Sequence, residues 1–234
     1  HRPRTDVERL VALRPSPVAD ALKWACGVAL APFAAGCLWS AASALFDAAS
    51  ATRAALPFLL GLAGYPLAHF LVWKPVTLYV LGHEVSHALA AWMGGAEVRA
   101  MSVGERGGHV DLSRSSAWIA LAPYMVPVYA VFAVAVYRLI LWWAPSGGPG
   151  PLGPQGLRWL FLLAMGAALS FHLTHTVEIL WSRRQPDLDM AGGAVFSLPL
   201  IAAANGLVLL AALKCLFPTT VSLARALEAS WGIG

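Results

Sequence analysis

Long apolar runs separated by short polar breaks dominate this chain of 234 residues. Several runs reach the length of about 20 apolar residues that a helix needs to cross the hydrocarbon core of a bilayer. Hydrophobic residues make up 59% of the chain and charged residues only 12%, against about 25% charged residues in a typical soluble domain. The pattern excludes a soluble globule, and it excludes a disordered chain because such chains are poor in apolar residues.

The runs predict an all-α integral membrane protein with about six transmembrane helices. Proline, glycine and short polar stretches mark where each helix should end. The six predicted spans are residues 22–45, 54–73, 76–93, 115–143, 157–181 and 191–216.

The charge and the cysteine content indicate which partners and which cysteine chemistry to expect. The net charge is +4, and the 16 Lys and Arg are scattered between apolar runs. Such scattered cations fit anionic lipid head groups better than a nucleic acid, so we expect the lipid bilayer as a partner and no nucleic acid. The three cysteines form no CxxC pair, and we therefore expect neither a disulfide framework nor a cysteine-bound metal.

The third run contains an HExxH motif formed by His83, Glu84 and His87. Residues four apart on an α-helix lie on one face, so the two imidazoles can bind one Zn²⁺ together. Glu84 stands beside the first ligand, where it can take a proton from water during peptide hydrolysis and return it to the leaving amine. The motif therefore predicts a zinc site with Glu84 as the catalytic residue.

The position of the motif strengthens this interpretation. An ionisable side chain at the centre of a membrane span costs about 2.5–3.5 kcal/mol on insertion scales. Three such side chains within one and a half helical turns need a strong compensating interaction. A set of hydrogen bonds between helices is one alternative, and a bound metal ion is the one we favour.

An HExxH motif inside an apolar run, followed by a Gly-rich stretch, further spans and a late Asp near Gly, resembles the site-2 protease family of intramembrane zinc metalloproteases. The resemblance covers residues 75–205 approximately. It implies one Zn²⁺ per chain bound by His83 and His87, with Glu84 as the base. It also implies a third ligand, an Asp from a downstream LDG or NPDG segment.

The third ligand stays open at this point. Asp187 follows a Pro, as in NPDG, and Asp189 follows a Leu, as in LDG, but neither is followed directly by Gly. The resemblance favours Asp187. Helix geometry adds His172, because the third and fifth predicted spans run in the same direction and place His83 and His172 at nearly equal depth. His172 is thus a possible additional ligand or a residue that supports the ligands from behind.

Further polar residues lie in the predicted spans. His175, Thr176 and Glu178 follow on the helix of His172 and are expected to support the same site. His69 lies in the second run, and we expect it to be structural.

Residues 96–115, directly after the HExxH helix, alternate in polarity and contain three glycines, which predicts a small β-hairpin. Its second strand, around Gly107 to Leu112, can offer its edge to an extended substrate by β-augmentation. A plain hairpin that caps the helices is an equal alternative.

The domain organisation follows from these assignments. We expect a basic N-terminal segment at 1–20, a single transmembrane metalloprotease-like domain at 21–216 and an amphipathic C-terminal tail at 217–234. There is no room in this stretch for a PDZ or nucleotide-sensing domain, so no nucleotide is expected as a partner.

The leading hypothesis is an intramembrane zinc metalloprotease that hydrolyses peptide bonds of membrane-anchored or membrane-associated proteins, located in the cell (cytoplasmic) membrane. The alternative is a non-proteolytic metal-binding membrane scaffold, in effect an inactive homologue. Glu84 argues for the protease, since a purely structural site needs no base beside its ligand. Counting basic residues on the two sides leaves the membrane orientation open.

Overall fold

The computed structural model describes residues 17–51, 53–104, 107–144, 152–182 and 184–231. Most of the expected basic segment 1–20 lies outside the described residues. Within them the chain is mainly helical, with one two-stranded sheet. In chain order the elements are α1 Pro17–Ala51, a 3-10 turn Arg53–Ala55, α2 Leu56–Leu71, α3 Val76–Met93, β1 Val98–Gly104, β2 Gly107–Leu112, α4 Ala117–Met125, α5 Val128–Trp143, α6 Gly153–Ser182, α7 Pro186–Ala191, α8 Ala194–Leu216 and α9 Leu223–Trp231.

Among the described residues, four helices are long and apolar enough to cross a membrane, and the number is five if the bent pair α4–α5 counts as one span. These proportions fit an integral membrane protein. The expected six spans are not confirmed, because α3 is not among the helices that qualify. Its 18 residues include His83, Glu84 and His87, and these polar side chains lower the hydropathy of an otherwise apolar helix. The four qualifying helices are α1, α2 with the preceding turn, α6 and α8.

The fourth apolar run is not one straight helix. It breaks between α4 and α5, which meet at an angle of 67°. Pro127 has no N–H to donate to the helix, and it restricts the preceding residue to extended conformations. Val126 accordingly has φ −107° and ψ 110°. Pro123 is tolerated inside α4, so only the second of the two prolines interrupts the run.

The predicted hairpin is confirmed as an antiparallel pair of strands. Gly104 pairs with Gly107 at the turn, and Met101 pairs with Val110 along the ladder. The register shifts by one residue between Val98 and Ala100, as in a β-bulge. The sheet packs against α3, beside the HExxH motif.

Two long helix pairs, α1 with α8 and α2 with α6, have the most extensive contacts between elements. Small residues allow the backbones to approach closely: Gly166 of α6 lies directly against the carbonyl of Phe58 in α2, and Gly27 of α1 against that of Val195 in α8. Such small-residue contacts are typical of helix packing in membranes. The largest buried cluster, which includes Phe58, Leu169 and Leu213, joins both pairs.

The short helix α7 connects α6 to α8 and was not predicted as a separate element. Pro186 starts it, and Gly192 and Gly193 end it with φ of 126° and 89°, values that non-glycine residues rarely adopt. Its Leu188 and Ala191 are buried in a cluster with Tyr124 of α4. This packing holds the start of α7 close to α3.

Candidate metal centre

The HExxH motif forms one polar face in the second half of α3. Nε2 of His83 and Nε2 of His87 lie 3.2 Å apart, as expected for side chains one helical turn apart. Glu84 is 7% exposed and His87 8% exposed. Both side chains are therefore largely buried.

Asp187 completes a group of three. Oδ2 of Asp187 lies 3.4 Å from Nε2 of His83 and 3.8 Å from Nε2 of His87. The buried side of α7, with Leu188 and Ala191, positions this carboxylate at the mouth of the motif. The first-ranked sequence candidate for the third ligand is thus the one that lies beside the two histidines.

The three side chains could hold a metal ion. Their ligand atoms, two imidazole nitrogens and one carboxylate oxygen, all lie within 4.8 Å of one another. This donor set is one that catalytic zinc sites use, with a fourth position left for water or substrate. The donor chemistry of the site therefore fits Zn²⁺.

Each of the three side chains makes a further polar contact. Nδ1–H of His87 donates to the carbonyl of Ile119 at 2.8 Å, which leaves Nε2 as the nitrogen that could bind a metal. Nδ1 of His83 lies 3.3 Å from the hydroxyl of Tyr79. The Tyr124 hydroxyl donates to Oδ2 of Asp187 at 2.8 Å. Such contacts orient the ligands before any metal arrives.

The Asp187 carboxyl group is ionised at neutral pH. Burial alone would raise its pKa, but the imidazoles of His83 and His87 and the hydroxyl of Tyr124 have the larger effect and hold the pKa of Asp187 well below its usual range. An ionised carboxylate is the form that binds a metal cation.

The second strand of the hairpin passes directly over Glu84. A methyl group in place of a hydrogen on Gly108 would lie 2.7 Å from Oε1 of Glu84 and 2.6 Å from its Cγ. Those distances are too short for a non-bonded contact, so a larger residue at position 108 would require Glu84 to move. The hairpin is therefore part of the site.

Two cavities meet at this point, of about 600 Å³ and about 530 Å³. Both are lined by His83, Glu84 and Gly108. Each lies within the range of about 300–1,000 Å³ that is usual for ligand pockets. Two cavities thus border the candidate metal centre.

The other two candidate ligands, His172 and Asp189, are not grouped with His83 and His87. Nε2 of His172 is hydrogen-bonded to Asn205 of α8 at 3.0 Å, and the Asn205 amide donates to the carbonyl of Tyr124 at 2.7 Å. His172 thus lies behind Tyr124 and is not one of the three grouped residues. Asp189 is exposed and paired with Arg184 at 3.0 Å.

A second group of possible metal ligands was missed from the sequence. His69 of α2 lies beside His175 and Glu178 of α6, again with all ligand atoms within 4.8 Å. His69 was expected to be structural, and the other two were expected to support the first site. The spacing of His175 and Glu178, three residues apart on one helix face, was the one sequence signal of this group. No pattern in the sequence connects them to His69, which lies more than 100 positions earlier.

Compared with models of known protein families, with curated proteins and with solved structures, the chain finds no match.

Proposed function

We propose that this protein is an intramembrane zinc metalloprotease that hydrolyses peptide bonds of membrane-anchored or membrane-associated proteins. The observation that carries the proposal is the convergence of His83, His87 and Asp187 from two distant parts of the chain, with Glu84 beside them. The resemblance of the motif to site-2 proteases points the same way. We place the protein in the cytoplasmic membrane.

In this proposal His83, His87 and Asp187 hold the zinc ion. A bound zinc ion would supply Lewis-acid polarisation of the scissile carbonyl and of the attacking water. Tyr124 and the carbonyl of Ile119 keep the ligands oriented through the hydrogen bonds that they make with Asp187 and His87. The site is therefore organised largely by neutral partners, which leaves the negative charge of Asp187 for the metal.

Glu84 is the proton carrier of the reaction. Its carboxylate takes a proton from the attacking water and passes it to the nitrogen of the leaving amine. The surroundings of Glu84 suit this role because it lines both cavities and so meets water and substrate. The backbone at Gly108, directly over Glu84, is the nearest surface against which an extended substrate segment can lie.

The test compares the wild-type chain with Glu84→Gln and, as a matched control, Glu97→Gln. Glu97 is exposed between α3 and β1, ten residues after His87, and lines neither cavity. Each protein is purified in detergent, analysed for bound zinc and incubated in liposomes with a panel of single-span reporter proteins tagged at both ends. New termini are identified by mass spectrometry in H₂¹⁸O, because hydrolysis places solvent oxygen in the new carboxyl group.

We expect zinc in all three proteins and cleavage by the wild type and Glu97→Gln only. Cleavage that persists in Glu84→Gln would refute the assigned mechanism. Zinc in all three proteins without cleavage of any reporter would favour the alternative, a non-proteolytic metal-binding scaffold.

A further inference from the structure

The group of His69, His175 and Glu178 lies outside the HExxH site. Two of these side chains are almost fully buried, His69 at 2% and His175 at 6% exposure. Ionisable residues in membrane helices are costly and usually mark a functional site. The proposed peptide hydrolysis uses none of the three.

The three side chains converge from two helices. Nε2 of His69, on α2, lies 2.8 Å from Oε2 of Glu178, on α6. The rings of His69 and His175 have centroids 4.7 Å apart. His175 and Glu178 are three residues apart on α6, the spacing that helical bundles use when a His and a Glu of one helix bind the same ion.

Two neighbours hold this arrangement in place. The hydroxyl of Tyr65 lies 2.8 Å from Nε2 of His175 and 3.2 Å from Nδ1 of His69. Lys74 binds Oε1 of Glu178, which leaves Oε2 as the oxygen that faces His69. Ligating carboxylates are commonly hydrogen-bonded through their second oxygen in this way.

From this convergence we propose a second metal site, formed by His69, His175 and Glu178, that binds a divalent transition-metal ion such as Zn²⁺ or Co²⁺. Two imidazoles and one carboxylate suit such ions, whereas Mg²⁺ and Ca²⁺ prefer oxygen ligands. The proposal does not depend on peptide hydrolysis. It assigns this chain two ions where the HExxH motif alone implies one.

The bound ion would tie α2 to α6 at the wall of the larger cavity, since His175 and Glu178 line the same cavity as His83 and Glu84. The second site is expected to bind more weakly than the first. Glu178 forms an ion pair with the Lys74 ammonium, which offsets the negative charge that would attract a metal ion. The carboxylate of Asp187 instead accepts a hydrogen bond from a neutral hydroxyl.

The test measures metal per chain on the full-length protein, purified in detergent without a polyhistidine tag, stripped with a chelator and titrated with Co²⁺. Visible absorption follows the binding, and elemental analysis after gel filtration counts the ions. The variants are His175→Gln and Glu178→Gln for the second site and His83→Gln for the first. The matched control is His109→Gln, which removes an exposed histidine that belongs to neither group.

We expect two ions in the wild type and in the control, and one ion in each of the other variants. One ion in the wild type that is lost in His83→Gln and kept in His175→Gln would overturn the second site and leave the first intact. One ion that is kept in His83→Gln and lost in His175→Gln would support the second site and count against the first. Absence of any bound ion would overturn both.

A spectroscopic measurement covers the case in which His175→Gln or Glu178→Gln fails to fold. The His83→Gln/His87→Gln protein keeps all residues of the second group and is loaded with one equivalent of Cu²⁺. Electron paramagnetic resonance should show hyperfine coupling to two imidazole nitrogens, from His69 and His175. A spectrum without nitrogen coupling would overturn the proposal.

Discussion

Replacing Tyr124 by Phe should weaken metal binding at the HExxH site although Tyr124 is not itself a ligand. The change removes one oxygen from a side chain that is fully buried and leaves the volume of the ring in place. It deletes the hydrogen bond of 2.8 Å from the Tyr124 hydroxyl to Oδ2 of Asp187. The carboxylate then loses the contact that aims it at His83.

The expected magnitude follows from this contact. A hydrogen bond to a charged group contributes about 1.5–3 kcal/mol, and each 1.4 kcal/mol corresponds to about a tenfold change in affinity. Residues that orient metal ligands from behind change metal affinity by about 10- to 100-fold when mutated. We therefore expect the dissociation constant for Zn²⁺ to rise about 10- to 100-fold in Tyr124→Phe.

The assay is a competition between the protein and a fluorescent zinc chelator at fixed pH. Tyr137→Phe is the matched control, because Tyr137 stacks on Phe161 away from the metal centre and loses the same atom. Asp187→Ala sets the upper limit, since it removes the ligand itself. An affinity of Tyr124→Phe within twofold of the wild type, together with an unchanged number of zinc ions per chain in Asp187→Ala, would refute Asp187 as the third ligand.

Three further predictions concern the surroundings of the site. Gly108→Ala should abolish most peptide hydrolysis and leave zinc content unchanged, because the added methyl group would displace Glu84. Gly104→Ala is the control, because the nearest atom to its new methyl group would be 3.6 Å away. Equal activity of the two variants would contradict the placement of the strand. Gly166→Ala should lower the free energy of unfolding in mixed micelles by about 1–3 kcal/mol, as overpacking usually does, since the new methyl would lie 2.0 Å from a backbone oxygen. The control is Gly64→Ala, whose new methyl would meet no atom within 4 Å; this variant should unfold like the wild type. Removal of zinc with a chelator should lower the unfolding midpoint, because an ion present at 100 times its dissociation constant stabilises the folded state by about 2.7 kcal/mol; a midpoint insensitive to zinc would argue against a site formed only in the folded chain.

Local features were predictable from the sequence where a short stretch of chain decides them. The limits predicted for the HExxH helix, 76–93, are those of α3, because Pro75 precedes it and Gly94 follows it. The hairpin falls inside the predicted range 96–115. In both cases proline, glycine and the alternation of apolar residues act on their immediate neighbours.

Features that depend on packing were not predictable to the same degree. The first helix begins at Pro17 and runs to Ala51, beyond the predicted 22–45. Near its C-terminal end Asp47 pairs with Arg225 of α9, a contact between distant segments. The number of spans fell from the expected six to four or five. Hydropathy alone does not decide whether a polar-faced helix such as α3 or a bent pair such as α4–α5 crosses the bilayer.

The sequence alone left three candidates for the third ligand. Asp187, Asp189 and His172 were all compatible with the motif. The structure separates them through contacts between distant segments: α7 carries Asp187 to the histidines, Arg184 pairs with Asp189, and Asn205 binds His172.

The sequence by itself determined that this is an apolar, membrane-type chain with an HExxH motif on one helix face, because hydrophobicity and helical periodicity are properties of neighbouring residues. Only the tertiary structure decided which carboxylate joins His83 and His87, that Gly108 lies over Glu84, and that His69 meets His175 and Glu178. Each of these contacts joins segments that are far apart in the chain. Their proximity results from the packing of whole helices, and no local pattern encodes it.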